Sequence, residues 1–532
     1  MVQEGSLVEY GSRRFIITLT AIMCALLEIV DTTIVNVALN DMKGNLGATT
    51  SEVGWVVTAY AIGNVIIVPM TSWLSQQFGR RNYFAASIIL FTICSFLCGQ
   101  SSGITELILF RFLQGLGGGA LLVTSQTIIT ESYPPEKRGM AQAIYGMGVI
   151  VGPTLGPPLG GWIIDNVQGG WPFIFYINIP LGIIATLLTL QFVRSPKYAN
   201  KSATRDIDWL GIALLAVFVG SLQYILEKGH DDDWFNSQTI TMLSVVALFG
   251  FFFFIWRETT FRNPVVNLRV LNNRSLAVGT ILSFIMGFGL YGTTFIIPLY
   301  TQATLGWTAT QAGLLLVPAA LTTAFMMPII GRLLQKGVRG EWLAALGLVM
   351  FFFFCFWGYR ILTPDTGKGA FFWMLIFRGV ALGLLFIPVT TLSLGGLKGR
   401  QIGEGAAFTG MMRQLGGSFG IAVITTFMAQ QQMVHRSNLV ADLDITNPVV
   451  QNRVAGLQHS FEAKGISSNI ALQDAYKVLD GSVTKQSMVL SYMDVFLYTG
   501  IIFLLAIPIV FFARRKKKAA AEEDKPDLSN MH

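Results

Sequence analysis

The sequence predicts an all-α integral membrane protein with fourteen transmembrane helices, arranged as two six-helix bundles plus two inserted helices, both termini cytoplasmic. Three observations predict it. Apolar residues make up 52% of the 532-residue chain and charged residues only 13%, about half the roughly 25% usual in soluble domains. Lipid must therefore cover surface that charges would otherwise cover. Apolar runs near the ~20 residues a spanning helix needs recur along the whole chain. Basic clusters fall between those runs on alternate sides, as the positive-inside bias demands.

The expected spans, in order, are 14–38, 53–74, 82–100, 106–129, 139–163, 173–193 and 207–226, then 238–256, 275–298, 311–331, 342–360, 369–393, 405–428 and 491–513. The first follows Arg13-Arg14 like a signal peptide, but its apolar stretch outruns the 7–15 residues of a signal core and lacks a small-x-small cleavage site. It reads as an uncleaved helix. With the N-terminus inside, the cytoplasmic segments hold Arg80-Arg81, Lys137-Arg138, Arg194, Lys197, Lys201, Arg205, Arg257 to Arg274, Arg332 to Arg339, Lys398 and Arg400, and the basic tail Arg514 to Lys518. The short opposite loops carry only Lys43, Lys228 and Lys368, beside acidic Asp231 to Asp233.

Residues 429–490 are too polar to span. Val450, Val454, Leu457 and Phe461 recur at helical spacing after Pro448, a good first-turn residue. A second helix is expected from Ala471 to Leu479. This extracytoplasmic hairpin is either a cap folded onto its own helices or a docking surface.

The net charge of +7 is spread over short loops, with no long basic helix or aromatic-basic pattern, so nucleic acid is not an expected partner. Cys24, Cys94, Cys98 and Cys355 all lie inside apolar runs and read as small packing residues. Neither a disulfide framework nor a zinc site is implied. The chain has no HExxH or Walker A motif and no Cys/His cluster, which argues against a metalloenzyme or an ATP-driven pump.

Two stretches repeat. Leu109-Phe110-Arg111-Phe112 opens a Gly-rich span, as Ile376-Phe377-Arg378-Gly379 opens another, and Trp73 to Arg80 is echoed by Gly331 to Gly337. Each pair holds matching topological positions. Parallel repeats of six helices are the layout of major facilitator transporters. The division expected is 1–193 for the first bundle, 194–274 for the inserted pair and linkers, 275–513 for the second bundle including the hairpin 429–490, and 514–532 for a cytoplasmic tail.

Ionisable groups inside a membrane persist when they are paired or useful. Glu28 and Asp31 are three residues apart, so their carboxylates share a helix face. Asp31 lies about nine residues, or ~13 Å, from the outer end of its span, a depth matched by Arg111 entering from outside. The two can pair, either as part of a proton-coupling site or as a static tie between helices. If Asp31 is locked to Arg111, Glu28 is the stronger proton carrier. Arg378 has no acidic counterpart and should find carbonyls or water. Arg378, Arg413 and Glu404 form a second candidate polar group. On the fifth span, Gly152, Gly156, Pro157, Gly160 and Gly161 allow close helix approach and a bend, suiting a gate or a tight seal.

Together these residues resemble the fourteen-helix drug:proton antiporters of the major facilitator superfamily, the EmrB/QacA type. Asp31 to Leu39 is similar to that family's first-helix signature. Arg111, Gln114, Gly115, Gly118 and Gly119 resemble its fourth-helix motif, and Gly152 to Gly161 its antiporter motif. Trp171 to Pro180 and Arg413 to Gly417 match the entry to helix six and helix thirteen. The loop holding Gln76, Gly79, Arg80 and Arg81 departs from the pattern, with Gln76 where the family has Asp and Ser72 where it has Gly. The resemblance implies a proton-coupled exporter of lipophilic, often cationic molecules in the bacterial inner membrane, with Arg111 implicated in proton transfer. Glu28 is additional to the family pattern; the placement of Glu28 and Asp31 inside an apolar span makes them the expected proton acceptors, tuned by Arg111. The resemblance implies the proton gradient as energy source and no cofactor. It also implies a periplasmic membrane-fusion adaptor and an outer-membrane channel, contacted through 429–490. A siderophore, a fatty acid or a lipid is an alternative cargo; a non-transporting scaffold would not need these buried charges.

Overall fold

The computed structural model describes residues 8–196, 207–441, 443–444 and 446–512. The basic positions Lys197, Lys201 and Arg205 and the expected tail 514–532 lie outside the described residues. The helices are α1 (Gly11–Asn45), α2 (Thr50–Gln77), α3 (Arg80–Gln100), α4 (Ile104–Ser132), α5 (Arg138–Asn166), α6 (Phe173–Tyr176) and α7 (Asn178–Phe192). They continue as α8 (Trp209–Lys228), α9 (Gln238–Thr260), α10 (Arg274–Ala303), α11 (Ala309–Leu315), α12 (Val317–Gln335), α13 (Gly340–Ile361) and α14 (Phe371–Leu394). The last are α15 (Arg400–Ala441), α16 (Pro448–Glu462), α17 (Ser468–Leu505) and α18 (Ile507–Phe511).

Among the described residues twelve helical segments are long and apolar enough to cross a bilayer, and thirteen when α5, bent by 40° between Pro153 and Leu155, counts as one span. The remaining expected span, 405–428, lies in α15. Its Gly, Ser, Thr and Gln residues and Arg413 dilute the apolar character. Most of its residues from Ile402 to Gly410 are buried against protein, so lipid compatibility is not demanded of it.

Without a hydrophobic drive between helices in lipid, close packing holds a bundle together. A Cβ on Gly115 would fall against the Tyr60 carbonyl of α2, and one on Gly287 against the Arg413 carbonyl of α15. The glycine ladder of α5 meets α1: Gly152 faces Ile29, Gly156 faces the Thr33 hydroxyl and Gly160 faces Ile34. The same helix reaches the second half of the chain, where Pro157 and Pro158 lie against Gly313 of α11, and Ala143 packs against Gly331 of α12. Helix α9 presents Phe249, Phe252, Phe253 and Trp256 outward, and α8 presents Trp209, Leu210 and Val217. The run Phe351–Phe354 divides, with Phe351 and Phe354 buried and Phe353 exposed.

The polar segment 429–490 differs from expectation in one respect. A helix after Pro448 is present as α16, and Val454 is its buried residue. The separate helix expected over Ala471 to Leu479 does not exist: α17 runs unbroken from Ser468 into the last span. No proline interrupts that stretch, and the single Gly481 costs only about 1 kcal/mol in a helix. Likewise α15 continues to Ala441. The two extensions are tied by His435 to Asp494 at 2.7 Å and Arg436 to Asp480 at 2.6 Å. Ala471 and Ala475 are buried, so the segment folds onto its own helices.

Candidate functional site

The most deeply buried charges come together in the first half of the chain. Arg111 of α4 and Asp31 of α1, 1% and 0% exposed, pair at 2.6 Å. The guanidinium also donates to the Val56 carbonyl of α2 at 3.1 Å and to Gln114 Oε1 at 2.8 Å, and its face lies 4.2 Å from the Tyr60 ring centroid. The second carboxylate oxygen of Asp31 accepts from Gln114 Nε2 at 3.0 Å and Asn178 Nδ2 at 2.8 Å. Ser95 Oγ on α3 accepts from both amides. Five helices thus converge on the Asp31–Arg111 pair and the amides around it.

Asn178 lies inside the span expected over 173–193, where α6 ends and α7 begins. Pro180 lacks an N–H and fixes its own φ, so it is tolerated in the first turn of a new helix. Ile177 keeps helical dihedrals (φ −59, ψ −25), so the span continues in one direction and Asn178, the first residue of α7, donates to Asp31.

Glu28 lies one turn away on α1 in a different setting. Its Oε1 accepts from Asn64 Nδ2 of α2 at 2.8 Å, and its Oε2 from the Leu122 N–H of α4 at 3.0 Å. No cation pairs with it among the described residues. Neighbouring carboxylates on one helix face therefore differ: Asp31 is ion-paired and given three donors, whereas Glu28 is held by two neutral ones. The expected shared face and the expected Asp31–Arg111 pair are both present.

The second candidate group is not brought together. Arg378 of α14 donates to Thr293 Oγ1 at 3.0 Å, Thr294 Oγ1 at 2.6 Å and the Leu290 carbonyl at 3.3 Å, all on α10. Carbonyl contact was the expectation; the hydroxyls add to it. Glu404 pairs with Arg400 at 2.8 Å and accepts from Asn267 Nδ2 at 3.2 Å. Arg413 sits nine residues farther along α15, ~13 Å at the helical rise, with the Phe386 ring centroid 5.4 Å from its guanidinium carbon. These are three separate environments.

In the loop after α2, Gly79 adopts φ 80, a left-handed conformation, and caps α3. Arg80 forks onto Glu131 of α4 at 2.5 and 3.1 Å, both side chains nearly buried. Gln76 Nε2 donates to Ser72 Oγ at 3.3 Å. The exposed Arg81 keeps its backbone N–H bonded to Ser195 Oγ. Glu131 went unremarked in the sequence, and Asn64, Ser95 and Asn178 were missed as partners. The available signal was polarity inside or at the ends of apolar runs.

The family model of the Major Facilitator Superfamily matches residues 21–421. The chain belongs to the major facilitator superfamily. Its fold agrees: the proton:xylose symporter XylE superposes with a TM-score of 0.57 at 16% identity, over 92% of this chain and 95% of that one. The human organic anion transporter MFSD10 gives the same score at 12% identity, over 94% and 100%. Among curated relatives, the multidrug export protein EmrB of Escherichia coli K12 is 34% identical over 504 residues, covering 95% of this chain and 96% of the relative. The fatty acid resistance protein FarB of Neisseria gonorrhoeae is 34% identical over 499 residues, covering 94% and 96%. This major facilitator protein is therefore a multi-pass membrane protein whose buried polar site lies among α1, α2, α3, α4 and α7.

Proposed function

We propose that this chain is a proton-coupled multidrug exporter of lipophilic, often cationic molecules in the bacterial inner membrane, with fourteen spans and both termini cytoplasmic. The observation that carries the reading is the unequal treatment of Glu28 and Asp31. Arg111 compensates Asp31, so that pair is costly to break. Glu28, held only by neutral donors, is the group free to gain and lose a proton without stranding a cation. The relatives named as multidrug exporters support the cargo class. The energy source is the proton gradient, with no cofactor.

In this reading residues 1–193 and 275–513 rock about the α5 contacts, while 194–274 supply the inserted pair. The Arg80–Glu131 pair, with Gln76 and Arg81 nearby, restrains the cytoplasmic gate. The folded segment 429–490 meets a periplasmic membrane-fusion adaptor leading to an outer-membrane channel. A fatty acid as cargo is the second reading, favoured by the similarity to a fatty acid resistance protein.

Proteoliposomes test the coupling. An imposed inward proton gradient should drive substrate movement, and Glu28→Gln should abolish that drive while downhill exchange continues. Gradient-driven transport surviving in both Glu28→Gln and Asp31→Asn overturns the proton roles. Deleting residues 440–485 should impair efflux in cells and spare transport in liposomes; equal loss in both would remove the adaptor contact.

A further inference from the structure

The linker between α9 and α10 divides its residues between two sides. Val265, Val266 and Val270 are buried, in one apolar cluster with Trp73 of α2 and Ile402 and Ala406 of α15. The Val266 N–H donates to Glu258 Oε2 at 3.0 Å, and Asn267 Nδ2 donates to Glu404 Oε2 at 3.2 Å. Asn267 Oδ1 in turn accepts from the Arg269 N–H at 3.2 Å. These contacts pin the backbone and leave Arg262 and Arg269 exposed.

Both arginines line a cavity of about 310 Å³, partly open to solvent, together with Asn263, Asn267, Arg400 and Glu404. Its charge is unbalanced. Arg257, just before the linker, is paired with Asp208 at 2.9 Å, and Arg400 commits only Nε to Glu404, at 2.8 Å. Arg262 and Arg269 have no ion pair or side-chain hydrogen bond among the described residues. Three guanidinium groups against one carboxylate leave an excess of two positive charges. A lone surface arginine is satisfied by water; here a pinned linker and a second helix bring three to one cavity. Guanidinium forks match a phosphate group in both geometry and charge.

Trp209, the first residue of α8, and Trp256, near the end of α9, are 71% and 57% exposed. Outward tryptophans mark a membrane–water interface, and Arg262 follows shortly after Trp256 in the chain. The cavity therefore opens near headgroup level. In the orientation proposed above this is the cytoplasmic leaflet, whose anionic lipids attract basic segments.

We propose that this cavity is a binding site for a phosphate-bearing anion that bridges Arg262 and Arg269 of the linker to Arg400 of α15. Only the side of the membrane rests on the proposed orientation; the site is independent of the proton roles. Arg400 also lines, with Ser72 and Gln76 of α2, the crevice where α15 meets the end of α2. Gly403, less than one turn farther along α15, lies against Ser72. Phosphate bound in the cavity ties the linker of the inserted pair to α15 while α15 is apposed to α2, and so stabilises that arrangement.

Delipidated full-length protein in uncharged detergent provides the test. It is titrated with short-chain phosphatidylglycerol, short-chain phosphatidylcholine or inorganic phosphate and followed by its thermal midpoint. Phosphatidylglycerol should raise the midpoint saturably. Arg262→Gln/Arg269→Gln should weaken the apparent affinity at least about tenfold, the scale of one lost charge-assisted bond. Arg332→Gln/Lys336→Gln, which removes equal charge from the end of α12, should leave the affinity unchanged. All four side chains are exposed, so neither variant threatens folding. A response to inorganic phosphate alone, with the same dependence on Arg262 and Arg269, would uphold the site and assign it a soluble phosphate in place of a lipid headgroup. Equal weakening in both double variants would overturn it, as would a response to zwitterionic phosphatidylcholine as large as to phosphatidylglycerol. Absence of any response to all three would overturn it as well.

Discussion

Arg111 and Arg378 hold the same place in two repeated helices, each seven residues past the first residue of its helix, yet their partners differ in kind. Arg111 faces a carboxylate wrapped in amides. Arg378 faces two threonine hydroxyls and a carbonyl. Where α1 carries Asp31, its counterpart α10 offers only Thr293 and Thr294. The repeat preserved the cation and the helix pair it joins but not the anion. A symmetric scaffold thus carries an asymmetric charge, and its titratable carboxylates near the centre, Glu28 and Asp31, belong to the first half.

The largest expected effect comes from stranding the carboxylate. Removing one partner of a buried ion pair costs about 3–5 kcal/mol, whereas removing both together is often near neutral. Arg111→Gln should therefore lower thermal stability in detergent sharply, and Asp31→Asn/Arg111→Gln should recover most of the loss. A double variant as unstable as the single would mean that Arg111 matters for packing on Tyr60 and not for charge, and the contrast with Arg378 would dissolve.

Arg378→Gln should be milder. It leaves hydroxyls and a carbonyl behind but no charge, and an unsatisfied neutral group costs about 1–3 kcal/mol. Thermal midpoints of Arg111→Gln and Arg378→Gln measured side by side decide it. Arg378→Gln falling at or below Arg111→Gln would show a hidden anion on the second side.

Much of this contrast was legible in the sequence. Asp31 and Arg111 could be matched because both are charged, lie in apolar spans and count to similar depths from the same end. The absence of an acid opposite Arg378 was equally readable. The remaining ligands were not. Asn64, Ser95 and Asn178 are uncharged, and a polar side chain in an apolar run serves a helix contact as readily as a site. Asn178 sits inside 173–193, which reads as one apolar run, so hydropathy does not single it out. Glu131 lies two residues past the expected end of its span, where an acid reads as a loop charge. Its burial against Arg80 comes from how α3 and α4 pack. The missing break near residue 480 is the reverse error: polarity marked a boundary between membrane and solvent, and the helix simply crosses it.

The smallest expected effect tests whether the second side is static. Thr294→Val keeps the shape of the side chain and removes the 2.6 Å bond from Arg378, leaving Thr293 and the Leu290 carbonyl in place. Interhelical hydrogen bonds within membranes average about 0.6 kcal/mol, so the thermal midpoint should fall only slightly. Because Thr294 does not titrate, the pH profile of gradient-driven transport should superimpose on that of wild type. The corresponding change on the first side, Asn178→Leu, deletes one of three donors to a charged Asp31, a bond worth more because it is charge-assisted. If Thr294→Val shifted the pH profile as far as Asn178→Leu, the hydroxyl cluster around Arg378 would be participating in proton movement, and the asymmetry drawn from the two arginines would be only apparent.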